Sequence, residues 1–171
     1  VRFCPTLSPY FYFPKTIFVG CLLWYWRGNY SADFRESLSL KQLITAIICG
    51  LVVLVIWVVP EGFVYQLDKT SNFDPFALGK SQLAITGLIT IRLLGSSLVV
   101  PIMEELFWRS FLMRYLINPD FRSLPIGTFS WFSYIGVAVM FGLEHHRVIV
   151  GIIAGLIYGL LLTHQRNLKG V

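Results

Sequence analysis

The chain has 171 residues, of which 56% are hydrophobic and only 13% charged, with a formal charge of +5 from 14 Lys and Arg against 9 Asp and Glu. A soluble domain carries roughly 45–50% apolar and about 25% charged residues, so a chain of mean hydropathy +0.68 has too few charges to cover a water-facing surface. The positive balance does not point to nucleic acid. Its charges lie singly at the ends of apolar runs, where loops of a membrane protein carry them and where cytoplasmic Lys and Arg meet phospholipid.

A membrane-spanning helix needs about 20 mostly apolar residues, and the chain supplies several in order. The first span is expected from about Tyr10 to Trp26, with Trp24, Tyr25 and Trp26 as an interfacial aromatic belt and Pro14 near its start. A polar loop with Arg27, Asp33, Arg35, Glu36 and Lys41 follows. The second span, Leu43 to Val59, has no charge and stops at Pro60-Glu61-Gly62. The next loop holds Asp68, Lys69, Asn72, Asp74, Pro75 and Lys80; its acidic excess places it outside and the Arg27–Lys41 loop inside.

From Leu83 to about Ile117 the apolar run is too long for one ordinary crossing, and Pro101 divides it. Either one long helix kinks at the proline, or one helix ends near Ser96-Ser97 and a second begins with Pro101 in its first turn, where the missing N–H costs little. Two more spans are expected, from about Phe129 to Leu143 and from Val148 to Leu162. In the last, Gly151, Gly155 and Gly159 recur every four residues, a small-residue face that lets helices approach closely in lipid. Cys4, Cys21 and Cys49 lie far apart with no CxxC spacing, which suggests neither a disulfide framework nor a zinc site. The expectation is a single all-α domain over residues 1–171, a polytopic transmembrane bundle of about five to six membrane helices.

Ionisable side chains at membrane depth cost roughly 2.5–3.5 kcal/mol each on insertion scales and persist where they pair or line a watery cavity. Pro101-Ile102-Met103-Glu104-Glu105-Leu106-Phe107-Trp108-Arg109 gathers three of them within two helical turns. Glu105 and Arg109 are four apart with the acid N-terminal, the better order for an ion pair. Glu104 points about 100° away, and its i+4 position is Trp108 rather than a base. Two adjacent carboxylates in such different settings have their pKa values pushed apart, which suits Glu104 to general-base work and Glu105 to an ion pair. The second constellation is Phe141-Gly142-Leu143-Glu144-His145-His146-Arg147, in which Phe141 and His145 share a face one turn apart. Taken alone it reads as well as an interfacial polar cap. Together with Glu104, His145 supplies a base and an imidazole, which can activate water and polarise a carbonyl. No metal is required by these residues. A divalent ion such as zinc is the competitor, with Glu104, His145 and one further histidine as its ligands, although HExxH spacing is absent.

Glu104-Glu105-x-x-x-Arg109 followed by Phe141-x-x-x-His145 resembles the CPBP (CAAX protease and bacteriocin-processing) family of intramembrane proteases. Arg92-Leu93-Leu94-Gly95, the run from Val100 to Ile117 and Asn72-Phe73-Asp74-Pro75 resemble its bacterial CAAX prenyl protease-related branch, which is associated with exosortase systems. The resemblance implies a multi-pass hydrolase of the bacterial inner membrane acting on a membrane-associated protein or peptide. It further implies Glu104 as the base, Glu105 oriented by Arg109, and His145 binding the oxyanion or positioning the water. The family's third motif, a His with Asn or a similar residue four positions on, has no match, since His164 and Asn167 are three apart. His164 is accordingly expected in a loop, and the third motif on a further helix starting near Leu168, beyond a truncated C-terminus. The loss of an oxyanion donor is worth roughly 2.7–4 kcal/mol in the transition state, with His146 as its candidate substitute. The alternative function is a non-catalytic immunity or scaffold protein that keeps the Glu/Arg cluster for helix packing.

Overall fold

The computed structural model describes residues 8–59, 74, 76 and 81–171. Cys4, the Pro60-Glu61-Gly62 stop and most of the acidic loop, including Asp68, Lys69, Asn72, Pro75 and Lys80, lie outside the described residues. Among those described, every regular element is helical. The principal helices are α1 (Ser8–Tyr25), α2 (Leu40–Val58), α3 (Gln82–Tyr115), α4 (Trp131–Glu144) and α5 (Val148–Gln165). Helices α2, α3 and α5 are each long and apolar enough to cross a membrane. Only 6% of the residues in the apolar windows of α2 and α3 are buried. Ile47, Ile48, Leu51 and Leu54 therefore present an apolar surface far larger than water tolerates, and lipid is the solvent that suits it.

Helix α4 has 14 residues, about 21 Å at 1.5 Å per residue, and so falls short of a hydrocarbon core roughly 30 Å thick. It ends early because His145 leaves the helical conformation, at φ −93° and ψ 146°.

Two compact units divide the chain, residues 1–29 with 70–104 and residues 30–69 with 105–171. In the first, α1 packs on the start of α3 through small contacts. Thr16 is buried, and a Cβ on Gly95 would stand 2.7 Å from Thr16 Cγ2 and from the Tyr12 hydroxyl. The Tyr12 hydroxyl donates to the Arg92 carbonyl at 3.4 Å, and the Arg92 guanidinium lies 5.0 Å from the Tyr12 ring centroid. That cation–π contact gives one apolar-segment charge a partner.

Of the two readings left open at Pro101, the continuous helix holds. Residues Gly95–Val99 form a π turn, in which the Val100 N–H donates to the Gly95 carbonyl. Proline lacks an N–H and crowds the carbonyl four residues back, and the wider turn lies immediately ahead of it. Ser96 and Ser97 hydroxyls donate to the Arg92 and Leu93 carbonyls at 2.8 and 2.5 Å.

In the second unit, the glycine face of α5 packs on α4 as its spacing predicts. A Cβ on Gly151 would be 2.9 Å from Gly142 Cα, one on Gly155 3.0 Å from Ala138 Cα, and one on Gly159 3.0 Å from the Tyr134 ring. The Tyr134 hydroxyl then reaches across to the Leu156 carbonyl, donating at 2.9 Å. Trp108, Met113, Val137, Phe141, Ala154 and Leu162 form the buried core. Helix α2 is started by a capping box: the Ser39 hydroxyl accepts from the Gln42 N–H at 3.3 Å, and Gln42 Oε1 accepts from the Ser39 N–H at 2.9 Å, relieving two orphan donors.

His164 lies in the last turn of α5, exposed, and not in a loop as its sequence neighbourhood suggested. The helix runs to Gln165 and stops at Arg166, whose φ of 50° is left-handed and whose N–H donates to the Leu162 carbonyl at 2.7 Å. Gln165 is buried and tied to α2: its Nε2 donates to the Gln42 carbonyl at 3.0 Å, while Gln42 Nε2 donates to the Gln165 carbonyl at 3.1 Å. That reciprocal pair carries the helix past the apolar run.

Candidate active site

Residues Glu105–Leu112 of α3 are π-helical, a geometry that is rare and tends to occur at functional positions. The ion pair expected for an α-helix survives it. Arg109 Nη1 lies 3.1 Å from Glu105 Oε1. Arg109 is 1% exposed, so its charge is almost fully desolvated. Two aromatic faces compensate, Phe141 of α4 at 4.4 Å and Tyr158 of α5 at 5.4 Å from the guanidinium carbon. A delocalised guanidinium suits this stacking as a lysine ammonium would not.

Phe141 also carries His145. Their ring centroids are 4.5 Å apart, and His145 Nδ1 is 2.6 Å from the Phe141 carbonyl oxygen. A carbonyl can only accept, so Nδ1 bears the hydrogen, and it is Nε2 that carries a lone pair whenever the ring is neutral. Trp57 of α2 covers the imidazole at 5.5 Å between centroids. Arg147, buried two residues on, donates from Nη1 to the Trp57 carbonyl at 2.5 Å, satisfying an acceptor at the C-terminal end of α2 where a cation is favoured. The first motif's arginine and the second motif's histidine thus both contact one phenylalanine. Glu104 is half-buried and is the last residue of the first unit, one position before Glu105. His146 is exposed in the turn between α4 and α5, as is Glu144 at the end of α4. A zinc site takes three or four ligands; among the described residues no group of three or more His, Cys, Asp or Glu side chains gathers to hold a metal ion.

Tyr158 was not singled out from the sequence, although it is the one aromatic residue between Val148 and Leu162. It lies three, four and seven positions from Gly155, Ala154 and Gly151 and so shares their face. Trp57 gave no signal, being one more apolar residue in an apolar helix. The partners of Arg114, a charge conspicuous in the apolar run, were equally hidden. Arg114 is buried, and its Nε donates to the Ser110 carbonyl at 2.5 Å, its Nη1 to the Leu124 carbonyl at 3.1 Å and its Nη2 to Asp33 Oδ2 at 3.1 Å. The Ser110 hydroxyl donates to the same Asp33 oxygen. Asp33 and Arg114 are 81 residues apart, a separation no local pattern encodes.

A family model described as "Type II CAAX prenyl endopeptidase Rce1-like" matches residues 85–171, just over half of the chain. The chain belongs to the Rce1-like family. No curated protein and no solved structure matches it. The Rce1-like match takes in Glu104, Glu105, Arg109, Phe141 and His145 together with Tyr158 and Arg114, whereas Asp33 and Trp57 precede it. Membership makes this a chain of the CAAX-protease-like peptidases, in keeping with its membrane-length apolar helices.

Proposed function

We propose that this Rce1-like chain is an intramembrane endopeptidase that hydrolyses a peptide bond near the membrane with a water activated by Glu104. The observation that carries the reading is the junction at Phe141, whose ring contacts Arg109 at 4.4 Å and His145 at 4.5 Å. A fold that needed the charges for packing alone has no reason to couple the two motifs through one ring.

In this mechanism Glu104 takes a proton from water as the water oxygen adds to the scissile carbonyl carbon. The carbonyl electron pair moves onto oxygen, and its return expels the amine, which takes the proton back from Glu104. The neutral His145 ring accepts the water's second O–H at Nε2 and so aims the attacking lone pair. Water positioning fits the Nδ1–H tautomer better than oxyanion donation, because Nε2 has a lone pair to offer and no hydrogen. Arg109 holds Glu105 as a carboxylate in a fixed orientation beside the base. The substrate is a membrane-associated protein or peptide, and the setting is the bacterial inner membrane. Nucleic acid plays no part.

The test uses protein reconstituted in liposomes and a quenched-fluorescent peptide ending in a farnesylated CAAX sequence, beside its unprenylated counterpart. Wild type is expected to cleave at least one of the two, with Glu104→Ala and His145→Ala each slower by about 10²–10⁴-fold, the usual contribution of a positioned acid or base. Equal rates in all three proteins would contradict the mechanism.

A further inference from the structure

The Arg109 guanidinium is held between two rings, and only one of them, Phe141, belongs to the motifs that define the site. The other is Tyr158, on α5, 5.4 Å from the guanidinium carbon. We infer that Tyr158 is a positioning residue of the active site: its ring face fixes the Arg109 guanidinium plane, and through Arg109 it sets the orientation of the Glu105 carboxylate. This rests on the reading of the site given above and extends it to a residue outside both motifs.

Arg109 is 1% exposed and its guanidinium meets Glu105 from one turn away at 3.1 Å. Phe141 at 4.4 Å restrains the guanidinium plane from α4, and Tyr158 at 5.4 Å restrains it from α5. The ring is also delivered with little slack. Gly159, the next residue, lies so close to α4 that an added Cβ would stand 3.0 Å from the Tyr134 ring, and Gly155 has Ala138 Cα at the same distance. This turn of α5 is therefore locked against α4, the helix that bears Phe141 and ends just before His145. A desolvated cation over a ring face is worth about 2 kcal/mol or more, which corresponds to roughly thirtyfold in rate if it is expressed in the transition state.

The experiment places phenylalanine, mono-, di- and trifluorophenylalanine at position 158 of the full chain. Fluorine drains the negative ring face with little change in shape. Relative to Tyr158→Phe, kcat is expected to fall stepwise with each fluorine, reaching roughly thirtyfold in Tyr158→Leu. KM and the unfolding temperature in detergent stay level across the fluorinated set. A flat kcat across that set, or a fall that merely tracks the folded fraction, would overturn the inference. The Arg109 Nε–H resonance in 15N-labelled protein gives an activity-independent reading. It is expected upfield in wild type and Tyr158→Phe, and to move downfield in Tyr158→Leu; an unmoved resonance would also overturn the inference. If wild type cleaves neither CAAX peptide, the peptidase reading falls and the resonance alone decides the role of Tyr158.

Discussion

Arg109 and Arg114 are both buried in the second unit, yet they are stabilised in different ways. Arg114 is saturated by oxygen, from the Ser110 carbonyl and hydroxyl, the Leu124 carbonyl and Asp33. Arg109 is stabilised by a carboxylate and two aromatic faces. The contrast separates what each does. Asp33→Ala removes a charge-assisted acceptor from Arg114 and from the Ser110 hydroxyl, which is expected to destabilise the protein by about 1.5–3 kcal/mol; in folded protein at low temperature, kcat should change little. Arg109→Met removes the counter-charge of Glu105 at a desolvated position. That is expected to cost about 3–5 kcal/mol together with most of the activity, and thermal unfolding in detergent beside turnover separates the two effects. For His145, the bond to the Phe141 carbonyl predicts the Nδ1–H tautomer in 15N NMR of the neutral ring, and an Nε2–H signal there would remove its water-positioning role. The Glu105–Arg109 pair and the Phe141–His145 pair were legible because each lies within one helical turn. Tyr158, Trp57 and Asp33 were not, because their partners come from other helices.

At the scale of elements, the glycine-spaced helix and the apolar spans were the most legible parts of the fold. Regular spacing in the chain becomes a regular face in a helix, and Gly151, Gly155 and Gly159 of α5 meet α4 as their spacing implies. Gly155→Val is therefore expected to push α5 from Ala138 and lower stability by about 1–3 kcal/mol, as overpacking does; a thermal shift in detergent measures it. The ends of elements were harder to read. Helix α5 outlasts its apolar run to Gln165 because Gln42 and Gln165 exchange hydrogen bonds across 123 residues. Helix α4 stops before it reaches membrane length because His145 is extended. The π turns in α3 have no counterpart in the hydropathy pattern, since Gly95–Val99 and Glu105–Leu112 are as compatible with an α-helix in composition. What betrays the first is a proline just after it, and the second contains the Glu105–Arg109 pair itself.

For the whole molecule, hydropathy settled the solvent and the motifs settled the family, and each stands on a different property of the chain. The outward apolar side chains of α2 and α3 predict a protein that stays in the membrane pellet through alkaline carbonate and enters solution only with detergent. The family match over residues 85–171 predicts peptidase chemistry, and the contact of both motifs with Phe141 is why we propose it there. Glu104 is the proposed base. Glutamine at that position keeps the shape and the hydrogen-bonding capacity of the glutamate but cannot take a proton from water. The most direct measurement is the turnover of the CAAX peptides by Glu104→Gln in liposomes, beside its unfolding temperature. The account predicts a rate lowered by about a hundredfold or more at an unfolding temperature close to wild type. A Glu104→Gln variant that cleaves the peptides at the wild-type rate would contradict it.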